Sequence, residues 1–409
     1  MFMNRGRALG LMKEHGLEAL IATRPENITY ATDMEMDTPN VLADSVYFVI
    51  LPKEENLDPT LLVPTAWLSI PFDRPNRIKE VRSCGYFNYV FYPETEVTGP
   101  EQRIQKTIQE NCYPDLDMVH LVVKTLKDKG LDRAKIGLDE RGISPEIKFQ
   151  IIQALPRTEF VDAFGLFRTI RMVKTKDEIE MLRQAATINE GAIKHLIGSL
   201  KEGITEIDLY REFERQIIQK GAEKGHYNNG GGTRSGALFP PGNYALKKGD
   251  LFRFDVGCQY HNYFADTGGV YIIGQDPNEK QKRIYRAMEA GIEKALSLFK
   301  PGVRPSRIFD AAMDAVKKSG IPDYRRHHLG HGIGIELYDS PLIRSAQDAS
   351  VVQLAGASDV PLEENMTLNI EVPYYELGFG GMQIEYTLVI TKNGFEFILP
   401  YNRRFSRVA

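Results

Sequence analysis

The sequence predicts an α/β chain of two domains, and three observations carry that expectation. The chain has 409 residues, 42% of them hydrophobic, which exceeds the roughly 100–200 residues of one ordinary domain and is apolar enough to build cores. Apolar, β-rich runs alternate with helical periodicity through residues 1–168. Residues 169–409 contain an internal echo at an offset of 99 residues, in which two helices and a β-rich tract follow one another twice.

The elements follow in order. Leu9, Leu11, Met12, Leu17 and Leu20 recur at roughly helical spacing, and Leu20-Ile21-Ala22 reads as a buried strand. Val46 to Leu51 and Thr60 to Val63 are expected strands, Asp117 to Gly130 a helix, and Lys135 to Asp139 a strand entering a turn at Gly142. Between Phe167 and Lys174 lies the expected domain boundary. Thr175 then caps a long helix running from Lys176 to about Leu200, whose first turns carry Asp177, Glu178 and Glu180, favourable to the helix dipole. The echo matches Lys201-Glu202-Gly203-Ile204 with Lys300-Pro301-Gly302-Val303, Leu209-Tyr210 with Ile308-Phe309, Ile217 with Val316, and Gly221 with Gly320. Two helical hairpins with ordinary Gly turns would share some of this spacing, but a duplicated helical layer accounts for all of it. After the first pair come Asp250 to Val256 and Tyr263 to Ile273; after the second, Met366 to Tyr375 and Gly381 to Thr391.

Composition narrows the function classes. Lys plus Arg is 51 against Asp plus Glu at 55, a formal charge of −4, so no general attraction to nucleic acid or anionic lipid is expected. Three widely spaced cysteines, Cys84, Cys112 and Cys258, form neither a disulfide framework nor a CxxC zinc site. No stretch of about 18 apolar residues is present. A cytoplasmic protein without membrane or nucleic-acid partners is the expectation.

Chemistry concentrates in the β-rich tracts. Asp255 lies in Leu251-Phe252-Arg253-Phe254-Asp255-Val256-Gly257 and Asp266, eleven residues on, in Tyr263-Phe264-Ala265-Asp266-Thr267-Gly268-Gly269. A carboxylate embedded in an apolar strand needs a partner, and two of them converge only around a positive charge. A turn near Gln259 to Asn262 would bring them together. The pattern repeats with Glu371 in Asn369-Ile370-Glu371-Val372-Pro373 and Glu385 in Gln383-Ile384-Glu385-Tyr386-Thr387, fourteen residues apart across a Gly-rich turn. His331, in Leu329-Gly330-His331-Gly332-Ile333-Gly334, is the fifth expected ligand, its flanking glycines permitting close backbone approach. Oxygen-rich sites with an imidazole suit manganese, iron, cobalt or zinc, and two ions roughly 3.5–4 Å apart could activate a shared water.

The order Asp, Asp, GHGIG, Glu and a closing IExTLVIT resembles the pita-bread metalloenzyme family of prolidase, aminopeptidase P, methionine aminopeptidase and creatinase. Arg171-Met172-Val173-Lys174-Thr175 with Glu178-Ile179 resembles the family's entry to its catalytic domain, and Pro25-Glu26-Asn27-Ile28-Thr29-Tyr30 its creatinase-type amino-terminal domain. The resemblance implies a creatinase-like α/β domain over 1–168 and a pita-bread catalytic domain, with a pseudo-twofold internal repeat, over 169–409. It implies two divalent metal ions, manganese first, with Asp255 on one, His331 and Glu371 on the other, and Asp266 and Glu385 on both. It further implies a homodimer and hydrolysis of an amide C–N bond in a small peptide or amide, in the manner of an Xaa-Pro peptidase, with a metal-bridging hydroxide as nucleophile and Glu371 as proton shuttle.

Departures from the family pattern fall around the substrate. Leu238-Phe239-Pro240-Pro241 stands where the peptidases place a histidine about seventeen residues before the first metal Asp, and Tyr338 stands for the histidine seven residues after His331. Gln383 replaces the Arg of the RIED pattern, Tyr386 follows the Glu in place of Asp, and Thr267-Gly268-Gly269-Val270 replaces an ITRT-like run. His327 and His328 are candidates to approach the substrate, or form a solvated basic turn with Arg325 and Arg326. Tyr338 is a candidate hydrogen-bond donor to an oxyanion, a base with lowered pKa, or a packed ring, and Asp339 could orient it. His226, Arg234 and the Gly230-Gly231-Gly232 run are expected in a flexible active-site loop. A lyase of the same fold, similar to the branch that cleaves dimethylsulfoniopropionate with a Tyr or Asp as base, and a catalytically silent binding scaffold are the alternatives.

Overall fold

A computed structural model describes residues 3–35, 47–54, 56–73, 76–92, 94–347, 359–400 and 404–408. It separates into two compact units, Met1–Ile170 and Arg171–Ala409. Among the described residues no helix is long and apolar enough to cross a membrane.

The first unit is built on a seven-stranded mixed sheet. Its strands are β1 (Ala19–Ala22), β2 (Phe48–Pro52), β3 (Thr60–Pro64), β4 (Glu80–Cys84), β5 (Cys112–Tyr113), β6 (Lys135–Leu138) and β7 (Glu159–Asp162), in the order β5-β4-β3-β2-β1-β6-β7. β1 meets β2 antiparallel and β6 parallel, so the chain leaves the sheet centre in both directions. Ala19, Ile21, Phe48, Ile50, Leu62, Ile136 and Leu138 pack under the helix Met118–Asp128, which Asp117 caps by accepting from His120 N–H. The expected strands occur; Val46, placed at the start of one, lies outside the described residues. Helices Gly99–Asn111 and Pro145–Ala154 were not expected, although Thr98 with Glu101 forms a capping box and Ser144 precedes Pro at a first turn.

The second unit repeats one architecture twice. Helices Lys176–Ser199 and Glu206–Gln219 precede β8 (Glu223–Gly231), β9 (Leu251–Tyr260), β10 (Tyr263–Phe264) and β11 (Thr267–Ile273). Helices Glu279–Leu296 and Pro305–Lys318 precede β12 (Gly330–Gly332), β13 (Asp339–Leu342), β14 (Thr367–Glu371), β15 (Tyr374–Glu376), β16 (Gly380–Met382), β17 (Glu385–Ile390) and β18 (Phe395–Phe397); β19 (Arg407–Val408) returns to pair with β11. Thr175 and Glu178 form the capping box that starts the first long helix. The echoed Gly203 and Gly302 both sit at φ +85°, the left-handed turn that joins the helices of each pair.

Strand periodicity then sorts the side chains. Phe252, Phe254 and Val256 of β9 pack on Ala192, Leu196, Leu209 and Phe213 of the first helix pair. Leu368, Ile370 and Leu388 of β14 and β17 pack on Met288, Ile292, Ile308 and Ala312 of the second pair. Because alternate side chains point to opposite faces, Arg253 and Asp255, and likewise Asn369, Glu371, Gln383 and Glu385, are turned away from both helical layers. Burial of each large apolar side chain stabilises by about 1.5–3 kcal/mol, and these two layers offset the unfavourable desolvation of the charged face between them.

Candidate metal centre

The two sheets meet along their polar faces. A Cβ at Gly268 of β11 would clash with Glu385 and with Gln383, so glycine makes room there for the opposite sheet's carboxylate. Thr387 Oγ1 donates to the Asp266 carbonyl oxygen at 3.2 Å, and Arg253 Nη1 donates to Gln383 Oε1 at 3.1 Å.

Each expected ligand can now be placed. Asp255 lies opposite Gly268 in the β9/β11 ladder, while Asp266 sits in the break between β10 and β11. Its carboxylate is therefore delivered by an interrupted strand. The turn between them runs through His261 and Asn262, both at positive φ. Glu371 and Glu385 are direct cross-strand partners in the β14/β17 ladder. His331 holds its Nδ1 2.9 Å from the Gly332 carbonyl, which fixes the tautomer and leaves Nε2 facing Asp266 Oδ2 at 3.4 Å. Asn369 and Gln383 donate to the two oxygens of Glu385 at 2.7 and 3.0 Å, orienting the carboxylate while leaving lone pairs on both.

A contact not foreseen joins them. His226 Nε2 lies 2.9 Å from Asp255 Oδ1 and 2.9 Å from Asp266 Oδ1, and these three ligand atoms lie within 4.8 Å of one another. Gly225 before His226, and Gly257 two residues after Asp255, are the sequence signals of close backbone approach that could have revealed it. Arg253 is the second missed residue. It is fully buried and donates to Asn228 Oδ1 at 2.7 Å and to Gln383 Oε1 at 3.1 Å. An Arg two residues before a strand Asp shares its face, which was the available clue.

The electrostatics fit a cation cluster. Burial and the neighbouring Asp255 charge push Glu371 up to about 7, and burial with Asp266, Asp255 and Glu371 holds Glu385 well above the usual carboxylate range. Burial would raise Asp266 too, but the charges and hydrogen bonds of His226 and His331 hold it low. Two buried Glu carboxylates raised by crowding, beside an Asp oxygen whose close contact is the His226 imidazole nitrogen, are a donor set suited to divalent cations.

The cleft over this cluster has a volume of about 380 Å³ and is lined by His226, Asp255, Asp266, Arg326, His327, His328, Tyr338 and Glu371, among others. His328 is buried, and Gly330 N–H donates to its Nδ1 at 3.3 Å, which puts its proton on Nε2. Burial and the nearby His331, His327 and Arg326 push its pKa down to about 2, so the ring is neutral. His327 is exposed at the cleft wall with its ring 4.3 Å from that of His328, and the wholly solvated turn does not describe His328. Tyr338 stacks on His331 with ring centroids 4.0 Å apart.

Three expectations are corrected. Burial and the surrounding carboxylates push the Tyr338 hydroxyl up, not down, so the lowered value expected of a base is not found and the hydroxyl can donate a hydrogen bond. Asp339 does not serve the cleft: its oxygens face Lys174 Nζ at 3.1 Å and Arg171 Nη2 at 3.4 Å in a buried ion network with Glu336. Asp339 is therefore not placed to act as the base of the lyase alternative. The Gly230-Gly231-Gly232 run is no loop over the site. Gly230 and Gly231 end β8, where a Cβ on Gly230 would lie 2.8 Å from Ser235 backbone, and Arg234 is paired with Glu206 at 3.0 Å.

Comparison with known proteins agrees with this geometry. Residues 180–392 match metallopeptidase family M24. The chain is 30% identical over 308 residues to the Xaa-Pro dipeptidase of Pyrococcus furiosus, covering 74% of this chain and 83% of that protein. In fold it is similar to the prolidase of Pyrococcus horikoshii (TM-score 0.75, 21% identity, 98% and 99% of the two chains) and to the X-Pro aminopeptidase of Thermotoga maritima (TM-score 0.75, 22% identity, 99% of each). With a duplicated helix-and-sheet unit enclosing an acidic cluster and a family match over most of that unit, the chain belongs to metallopeptidase family M24 and is a metal-dependent hydrolase of amide bonds.

Proposed function

We propose that the chain is an Xaa-Pro dipeptidase, active as a cytoplasmic homodimer, in which residues 169–409 form the catalytic domain and residues 1–168 a creatinase-like partner domain. Asp255, Asp266, His331, Glu371 and Glu385 would hold two divalent cations, manganese first, with iron, cobalt or zinc as alternatives. When bound, such ions polarise a substrate carbonyl and acidify water. Glu371 would carry a proton to the leaving nitrogen. His328, neutral with hydrogen on Nε2, and the Tyr338 hydroxyl are donors toward charge developing on the carbonyl oxygen.

The observation that carries the dipeptide reading is Arg326. Its guanidinium stands 5.3 Å from the Tyr375 ring centroid on the cleft wall, and its Nε is without a hydrogen-bond partner among the described residues. A fixed cation beside a cleft of about 380 Å³ suits the free carboxylate of a two-residue substrate. The name of the Pyrococcus furiosus relative, an Xaa-Pro dipeptidase, supports the same choice.

Elemental analysis of the purified protein, with assays of Xaa-Pro dipeptides and longer Xaa-Pro peptides under added Mn, Co, Fe or Zn, tests this reading. Dipeptide hydrolysis coupled to two ions per chain is expected. In Arg326→Ala, KM for dipeptides should rise roughly tenfold or more with kcat little changed, the mark of lost uniform binding. Equal turnover of long peptides, or an unchanged KM in the variant, would remove the dipeptidase reading while leaving the metallohydrolase intact.

A further inference from the structure

The strand β8 carries a histidine into the acidic cluster by a local irregularity. Glu223 pairs with Gln259 and Lys224 with Cys258, but Tyr227 already pairs with Val256, so Gly225 and His226 together face Gly257. Two residues opposing one make a bulge, which re-aims a side chain. The fit is exclusive of other residues at the crossing: a Cβ on Gly225 would lie 2.5 Å from the Gly257 carbonyl oxygen, and one on Gly257 would lie 2.6 Å from the His226 ring. Both glycines serve to seat the imidazole against the carboxylates.

Its ring nitrogen is shared between two carboxylates. Nε2 is 2.9 Å from both Asp255 Oδ1 and Asp266 Oδ1, so a single ring nitrogen faces two carboxylate oxygens, and all three atoms lie within 4.8 Å of one another. One ring N–H serves one acceptor well. Three donor atoms on a common six-coordinate ion, with bonds of about 2.1 Å, stand about 3 Å apart along each octahedral edge, as Nε2 stands from each oxygen. The two halves of the unit agree in plan: a third strand lies antiparallel beside each acidic hairpin, β8 beside β9 and β12 beside β14, and each brings one imidazole, His226 or His331.

We propose that His226 is a sixth metal ligand, its Nε2 binding the ion held by Asp255 and Asp266, so that each of two ions has one imidazole. This rests on the reading that the acidic cluster holds two cations. A second nitrogen donor raises affinity for cobalt and zinc relative to manganese.

Apoprotein reconstituted with cobalt(II) tests it by proton NMR, because the N–H of each ligating imidazole is shifted far outside the normal range. Elemental analysis and competition titrations follow the wild type and His226→Phe, which fills the ring's volume without a donor. Two ions and two such resonances are expected in the wild type. In His226→Phe one resonance should vanish, one ion should bind more than about 100-fold more weakly, beyond the roughly 10–100-fold effect of a merely orienting partner, and the cobalt-to-manganese affinity ratio should fall. Two ions with a single imidazole resonance in the wild type would overturn the proposal and keep the dinuclear reading. Wild-type protein that binds no ion would overturn both. If His226→Phe fails to fold, the wild-type spectrum alone decides.

Discussion

The two halves of the second unit solve the same problem with different side chains. In the first, short Asp carboxylates reach the centre from an irregular backbone: Asp266 sits in a strand break and β8 is bulged opposite Gly257. In the second, Glu371 and Glu385 are the terminal cross-strand pair of the β14/β17 ladder, beside the break between β16 and β17. The longer Glu side chains face each other directly, whereas the two Asp side chains are offset along the β9 and β11 strands. Each glycine at a crossing makes room for a side chain: Gly257 yields space to His226 in the first half, and Gly268 yields space to Glu385 from the second. Burial and crowding leave the long pair, Glu371 and Glu385, raised above the usual carboxylate range, whereas Asp266, between two imidazoles, is held below it. The halves therefore differ in charge as well as in geometry.

That difference can be broken most severely at the carboxylate the two imidazoles share. Asp266→Ala removes the carboxylate that faces both His226 and His331, and metal-dependent turnover should fall by roughly a thousandfold or more; steady-state assays at saturating metal would show it, and full retained turnover would sink the mechanism. Gly257→Ala attacks the irregular half alone. The added methyl group clashes with the Ala265 carbonyl oxygen as well as meeting the His226 ring at 2.6 Å, so about 1–3 kcal/mol or more of stability should be lost in denaturant titrations.

Proton linkage sharpens the comparison from the other side. Glu371 and Glu385 must lose protons before they can ligate, so metal affinity should rise as pH increases through about 7. Calorimetry in buffers of different ionisation enthalpy would count the protons released, and Glu371→Gln should flatten the slope. A smaller effect is expected at Glu178, buried in the capping box and bonded to Tyr263 Oη at 3.1 Å. Burial pushes it up to about 8 from an ordinary value of 4.5. The native state keeps a proton that the unfolded chain has released, so this contribution to stability is full below about 4.5 and is lost as pH rises through about 8. Glu178→Gln preserves the cap and should make melting less sensitive to pH in that window.

That Asp255, Asp266, His331, Glu371 and Glu385 gather in one place was legible because a carboxylate in an apolar strand has no cheap explanation and because the tracts repeat. Helix starts at Thr175 and the turns at Gly203 and Gly302 were equally local and equally readable. His226 was seen as a cleft residue but not as a partner of Asp255 and Asp266, since a bulge changes which face a strand residue serves, and one-dimensional alternation cannot register it. Asp339 was misread for the opposite reason. Its neighbour Tyr338 suggested a pair, whereas Lys174 and Arg171, more than 160 residues away, hold it.

Residue types and their local spacing determined by themselves the two helical pairs, the acidic tracts that follow them and the metal-dependent chemistry these imply, because periodicity, capping and the penalty for burying charge all act over short stretches of chain. Only the tertiary structure decided which groups share the centre: that Arg253 answers Gln383, that His328 is neutral while Tyr338 keeps its proton, and that His226 meets two carboxylates at once. Those outcomes depend on desolvation and on distances between strands, and both exist only after the two sheets have closed on each other.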